Sequence, residues 1–108
     1  MLEALFGNPN IEKILFYLLR FEEGYARGMA LSFGEAVSPL QNQLKRLERG
    51  GVIVSRLVGR TRVFKINPRY PFQTELRSFL VKAFGAIPGP QVEKYYTLRT
   101  RPRRQGKP

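Results

Sequence analysis

The chain contains neither cysteine nor histidine. Without thiols it has no disulfide framework and no thiolate metal site. Without imidazoles, a metal would rest on carboxylates alone, poor ligands for zinc or other soft-ligand sensing. His-based general acid–base catalysis and Ser-His nucleophile schemes are excluded on the same ground. No apolar run approaches the roughly 20 residues of a membrane span. The N-terminus lacks the basic-then-apolar pattern of a secretory signal. The expectation is a cytoplasmic chain that is not an enzyme and uses no cofactor and no metal. At 108 residues, 43% of them apolar, it has material for one domain with a modest core and at most a tail.

Acidic residues are scarce, 8 against 19 Lys and Arg, and the net charge of +11 is unevenly placed. Residues 1–37 hold three basic side chains against five acidic ones. Residues 38–70 hold eight basic side chains against Glu48 alone, and residues 99–108 hold five basic and no acidic ones. A polyanion is the natural partner of such a distribution. Solubility alone is the weaker explanation, because acidic residues supply it as well.

The stretch from Phe33 to Asn67 organises the chain. After Gly34, Leu40, Leu44 and Leu47 stand at i, i+4 and i+7, one stripe of a helix. Gly50-Gly51 stops that helix. Two β-rich runs follow, Val52 to Leu57 and Arg62 to Ile66, joined through Val58-Gly59-Arg60-Thr61 as a hairpin. The helix has two possible starts. Pro39 disfavours an α conformation at Ser38, which makes Ser38 the preferred N-cap with Pro39 first inside. Ala36 is the other cap position, with Pro39 still in the first turn, where its missing N–H does no harm.

Around this stretch, Asn8-Pro9 marks the cap and first residue of a helix from Pro9 to Phe21, behind a helical turn within Met1–Phe6. Tyr25-Ala26 has the look of a very short strand against the hairpin, and Arg27 to Phe33 of a short helix with Met29, Ala30 and Phe33 inward. Pro71 is placed to open a last helix over 71–84, with a stripe of Phe72, Leu76, Phe79, Leu80 and Ala83. Pro88-Gly89-Pro90 then breaks the pattern. Tyr95 to Leu98 has the makings of a short ordered piece, and Arg99 to Pro108 of a disordered basic tail.

On the Ser38–Arg49 helix, Ser38, Asn42, Lys45, Arg46 and Arg49 lie farthest from the leucines, with Gln41 on a shoulder. Gln and Asn pair bidentately with adenine, while Lys and Arg hold phosphates or read guanine. Arg60 in the hairpin turn, flanked by Arg56 and Arg62, gives a cationic tip able to reach a phosphate backbone or a narrow minor groove. The alternative, charges that merely shield exposed strands from pairing, needs fewer arginines. No P-loop or dinucleotide fingerprint is present: GMALSFG lacks a preceding strand and a Lys-Ser/Thr pair.

The segment Met29-Ala30-Leu31-Ser32-Phe33-Gly34 resembles the "LAxxLG" of bacterial winged helix-turn-helix repressors of the ArsR and MarR type. Leu40 through Glu48, followed by Gly51-Val52-Ile53, resembles their "VxxxLxxLEeaGLV", and Gly59 falls where their wing turn does. Asn67-Pro68-Arg69-Tyr70-Pro71-Phe72 through Glu75-Leu76 is similar to an ArsR-like subgroup that accompanies minimal nucleotidyltransferase domains. The resemblance spans about residues 5–85. It implies a mainly α fold with a small β-hairpin (α+β), a winged helix-turn-helix over 1–84 with dimerisation helices, and an extended basic tail over 85–108. It implies a homodimeric, sequence-specific double-stranded DNA-binding regulator, a repressor, with residues 38–46 as recognition helix and 56–62 as wing. Metal sensing does not carry over, because the Cys and His ligands are missing. Catalysis does not carry over either, since 24 residues after Phe84 are too few for a nucleotidyltransferase domain. Two other functions remain open: an adaptor that docks a partner enzyme such as a nucleotidyltransferase, and RNA binding through the basic tail.

Overall fold

A computed structural model describes residues 1–97. The elements follow in the order α1 (Glu3–Phe6), α2 (Pro9–Phe21), β1 (Gly24–Tyr25), α3 (Ala26–Phe33), α4 (Val37–Arg49), β2 (Ile53–Val58), β3 (Thr61–Ile66), α5 (Gln73–Phe84) and α6 (Gly89–Tyr95). The fold is α+β: helices around a three-stranded antiparallel sheet of order β1-β3-β2.

Helix α2 is the centre. Asn8 caps it, its side chain accepting the Asn10 N–H at 2.7 Å, and Pro9 occupies the first turn. Its apolar residues are too broadly spread for one stripe, so it is surrounded, with Ile14, Phe16 and Leu18 fully buried. Helix α3 ends at Gly34, whose φ of 68° lets the chain turn at once into α4. Leu40, Leu44 and Leu47 of α4 close on the core, and α4 packs against both α2 and α3. The hairpin β2–β3 contributes Ile53, Phe64 and Ile66 to the same core. Its two-residue turn places Gly59 at φ 63°, the conformation a type II′ hairpin demands at its first central position.

Three boundaries differ from the sequence expectation by more than one residue. Helix α4 starts with Ala36, not Ser38, in the cap position, and Ser38 lies inside the first turn. The physical reason is the shortness of the turn: Gly34 ends α3, the Glu35 N–H bonds the Ala30 carbonyl at 3.0 Å, and Ala36 is already extended before the helix. Pro39 is tolerated because the first-turn N–H groups have no intrahelical partner. Helix α5 starts at Gln73 rather than Pro71. The chain is still turning there, with the Tyr70 N–H on the Asn67 carbonyl (3.1 Å) and the Gln73 N–H on the Tyr70 carbonyl (3.0 Å).

The third correction concerns the tail expected from residue 85. Residues 89–95 form α6, because Pro88-Gly89-Pro90 starts a helix rather than ending one, with proline in the first turn. Ile87 and Tyr96, on either side of α6, are buried. Tyr96 sits among Phe16, Phe33 and Phe84, with ring centroids 5.8, 6.3 and 5.6 Å away. The basic stretch Arg99–Pro108 lies outside the described residues. Among the described residues no helix is long and apolar enough to cross a membrane.

Candidate nucleic-acid interface

The leucine stripe fixes how α4 is rotated. With Leu40, Leu44 and Leu47 turned to the core, Ser38, Gln41, Asn42, Lys45, Arg46 and Arg49 are exposed. At about 100° per residue they cover a broad arc, not a line. Gln41 and Lys45 lie on its wing side, Ser38, Asn42 and Arg49 in its middle, and Arg46 on the far side.

The wing side faces an open groove of about 600 Å³ between α4, the start of α3 and the hairpin tip. Gln41, Lys45, Arg60 and Arg62 line it, together with Tyr25 and Arg27. Four cations thus share one groove with a single carboxylate, Glu48. That carboxylate is engaged: Ser55 Oγ donates to Glu48 Oε2 at 2.6 Å, and Arg62 donates to Ser55 Oγ at 2.9 Å. The relay spans β3, β2 and α4, and it ties the wing to the helix it flanks.

Arg62 and Arg56 lie on opposite faces of the hairpin. Register sets this: Leu57 pairs with Arg62 and Ser55 with Phe64, whereas Arg56 pairs with Val63. Successive side chains alternate across a sheet, so Ser55, Leu57, Arg62 and Phe64 share the inner face and Arg56 points away. There it meets Glu23, with guanidinium nitrogens 2.8 and 3.2 Å from the two carboxylate oxygens. The hydrogen bond from Arg56 holds the Glu23 carboxyl below its ordinary pKa. Elsewhere, burial pushes the Tyr17 and Tyr96 phenols up.

Of the eight residues predicted from sequence, the groove collects Gln41, Lys45, Arg60 and Arg62. Ser38 and Asn42 are exposed beside it. Arg46 instead borders a second, apolar groove of about 370 Å³ with Leu5, Leu15, Leu47 and Leu76. Gln41, Asn42, Lys45, Arg46 and Arg60 make no side-chain hydrogen bond or ion pair among the described residues. Arg27 and Tyr25 are additions. The inward turn of Met29, Ala30 and Phe33 already implies that Arg27 faces out, but only the fold brings it beside the wing.

No protein-family model matches the chain, and no curated protein matches it in sequence. Among solved structures the fold is similar to that of ZitR from Lactococcus lactis, solved as a double mutant in the apo form. The likeness has a TM-score of 0.55 at 13% identity, and covers 85% of this chain and 78% of that one. A winged-helix fold is therefore what this chain shares with that protein.

Proposed function

We propose that this protein is a dimeric, sequence-specific double-stranded DNA-binding regulator that represses by occupying promoter DNA. The observation that carries the reading is the groove of unpaired cations at Lys45, Arg60 and Arg27, opening beside exposed amides at Gln41 and Asn42. Cations supply phosphate contacts, which position a protein on the duplex without selecting sequence. The amides of α4 supply base contacts, each good bidentate pair contributing about 1–3 kcal/mol of discrimination. Ser38 at the start of α4 adds a short polar contact, and Arg62 orients the wing through Ser55. Arg46 serves a phosphate on the far flank of α4, and Arg56 is left out of the interface. A second copy docks over the exposed Phe79 of α5 and Phe72 just ahead of it, and two α4 helices then enter major grooves about 34 Å apart.

Fluorescence anisotropy on a duplex selected from a randomised pool tests this. Lys45→Ala with Arg60→Ala lowers the slope of log affinity against log salt by about 1.8, two contacts at about 0.9 each. Gln41→Ala leaves that slope alone and narrows the gap between selected and scrambled duplex. An unchanged slope in the double variant defeats the assignment.

A further inference from the structure

One side chain of the groove beside α4 has no task on duplex DNA. Tyr25 is 47% exposed and lines that groove with Arg27, Gln41, Lys45, Arg60 and Arg62. Its place is fixed from two sides. The backbone pairs with Val63 of β3 and then takes the extended cap position of α3. The ring lies against Gly28, where a Cβ would meet Cε1 and Cζ at 3.0 Å. A glycine weakens so short a helix, and here it makes room for the ring. The fold thus holds an aromatic side chain at the surface, among cations, instead of burying it.

Such a setting suits a ligand that carries a flat face and negative charge together. Paired bases keep their faces inside the stack and offer a protein only edges, sugars and phosphates. A free nucleotide offers both: its base stacks on an aromatic ring, and its phosphates take Lys and Arg. The groove, at about 600 Å³, is within the roughly 300–1,000 Å³ of small-molecule sites. Its one carboxylate, Glu48, is already held by Ser55. Gln41 supplies an amide of the kind that pairs bidentately with adenine. We propose that this groove binds a free adenine nucleoside polyphosphate, with the base on Tyr25 and the phosphates on Arg27, Lys45 and Arg60, in competition with duplex DNA. The competition rests on the DNA-binding reading, because both ligands need Gln41, Lys45 and Arg60; the nucleotide site itself does not. By linkage, nucleotide lowers duplex affinity and duplex lowers nucleotide affinity by the same factor.

Calorimetry on the full chain, first without DNA, uses ATP and inorganic tripolyphosphate as probes. ATP binds at least about tenfold more tightly than tripolyphosphate, the margin of one stacked base. Tyr25→Leu erases that margin and Tyr25→Phe keeps it, with circular dichroism checking both folds. Arg27→Ala leaves the ring in place and weakens ATP and tripolyphosphate alike. With the selected duplex added, saturating ATP raises the apparent Kd for DNA. Equal affinity for ATP and tripolyphosphate overturns the inference, because the chain would then hold any polyanion. Equal losses in Tyr25→Leu and Tyr25→Phe overturn it as well, since the phenol and not the ring would make the contact. Duplex affinity untouched by saturating ATP puts the two ligands on different surfaces and overturns the shared groove. A chain that binds duplex and no ATP loses the inference and keeps the DNA reading. A chain that binds ATP with the Tyr25-dependent margin and ignores duplex loses the DNA reading and keeps the nucleotide site.

Discussion

Helices α4 and α5 are drawn on the same plan and finish differently. Both carry an apolar stripe at helical spacing, and both border the core. In α4 the stripe is complete inside the protomer: Leu40, Leu44 and Leu47 are all buried, and every residue opposite them is polar. In α5 only Leu80 is buried, while Phe79 and Val81 stay 41% and 61% exposed and Phe72, just ahead of the helix, 62%. A helix whose apolar face is satisfied presents water with a surface suited to a charged polymer. A helix that keeps apolar side chains outside presents one suited to another apolar surface. The two helices are thus specialised by how much of each stripe the fold consumes.

The sharpest way to break this comparison is to truncate one residue of each stripe. Leu44→Ala opens a cavity at the contact of α4 with the core and lowers stability by about 2–5 kcal/mol. The loss is the same at every protein concentration in urea melts. Phe79→Ala removes a ring that is partly in water, so the protomer loses far less. On the proposed dimer its effect grows with concentration, because a second copy covers the ring. Equal, concentration-independent losses at the two positions erase the distinction.

A smaller effect sharpens the comparison from the α5 side. Phe72→Glu leaves the core untouched and places a charge on the side of α5 that carries Phe79. On the proposed dimer, sedimentation shows a monomer for this variant and a dimer for the unaltered chain. Affinity for a duplex with one half-site stays within about twofold, while the gain from a second half-site is lost, since linked sites bind with an effective concentration that separate ones lack. A Phe72→Glu dimer would mean the copies meet elsewhere.

Much of this contrast is legible in the residues. The i, i+4, i+7 leucines of α4 predict both its buried face and its exposed one. Asn8-Pro9 marks the start of α2, and Gly59 the wing turn, because each is a local demand on backbone geometry. The features hidden from the sequence depend on distant partners. The stripe of α5 is as strong on paper as that of α4, and only packing decides that Leu80 is covered while Phe72 and Phe79 stay outside. The prolines before α6 point to a break when read alone, because proline both ends and begins helices. The residue that settles it, Tyr96, is informative only beside Phe16 and Phe84. Arg46 and Lys45 are neighbours in sequence but about 100° apart around the helix, enough to send them to different grooves.

The weakest expected effect marks where the cationic region ends. Period two already separates Arg56 from Arg62, but the partner of Arg56 lies 33 residues away at Glu23 and has no local signature. Since Arg56 faces away from α4 and its charge is met, Arg56→Ala changes duplex affinity and its salt slope little, whereas Arg60→Ala lowers both. The pair is exposed, so its stabilising effect is slight and screened by salt. Its pH dependence has a definite sign. Glu23 titrates below its ordinary value of 4.5 in the folded chain, so the unfolded chain binds its proton first as pH falls. Stability from the pair is full above 4.5 and disappears as the pH drops through the lower folded value. Carboxyl chemical shifts followed by NMR show this directly: in Arg56→Ala the Glu23 midpoint moves up toward 4.5. A midpoint that stays put means that another cation holds the carboxylate, and Lys65, the other positive charge acting on it, is the side chain to replace next. In that case Arg56 is free for phosphate, and the outer face of the wing rejoins the cationic end of the molecule.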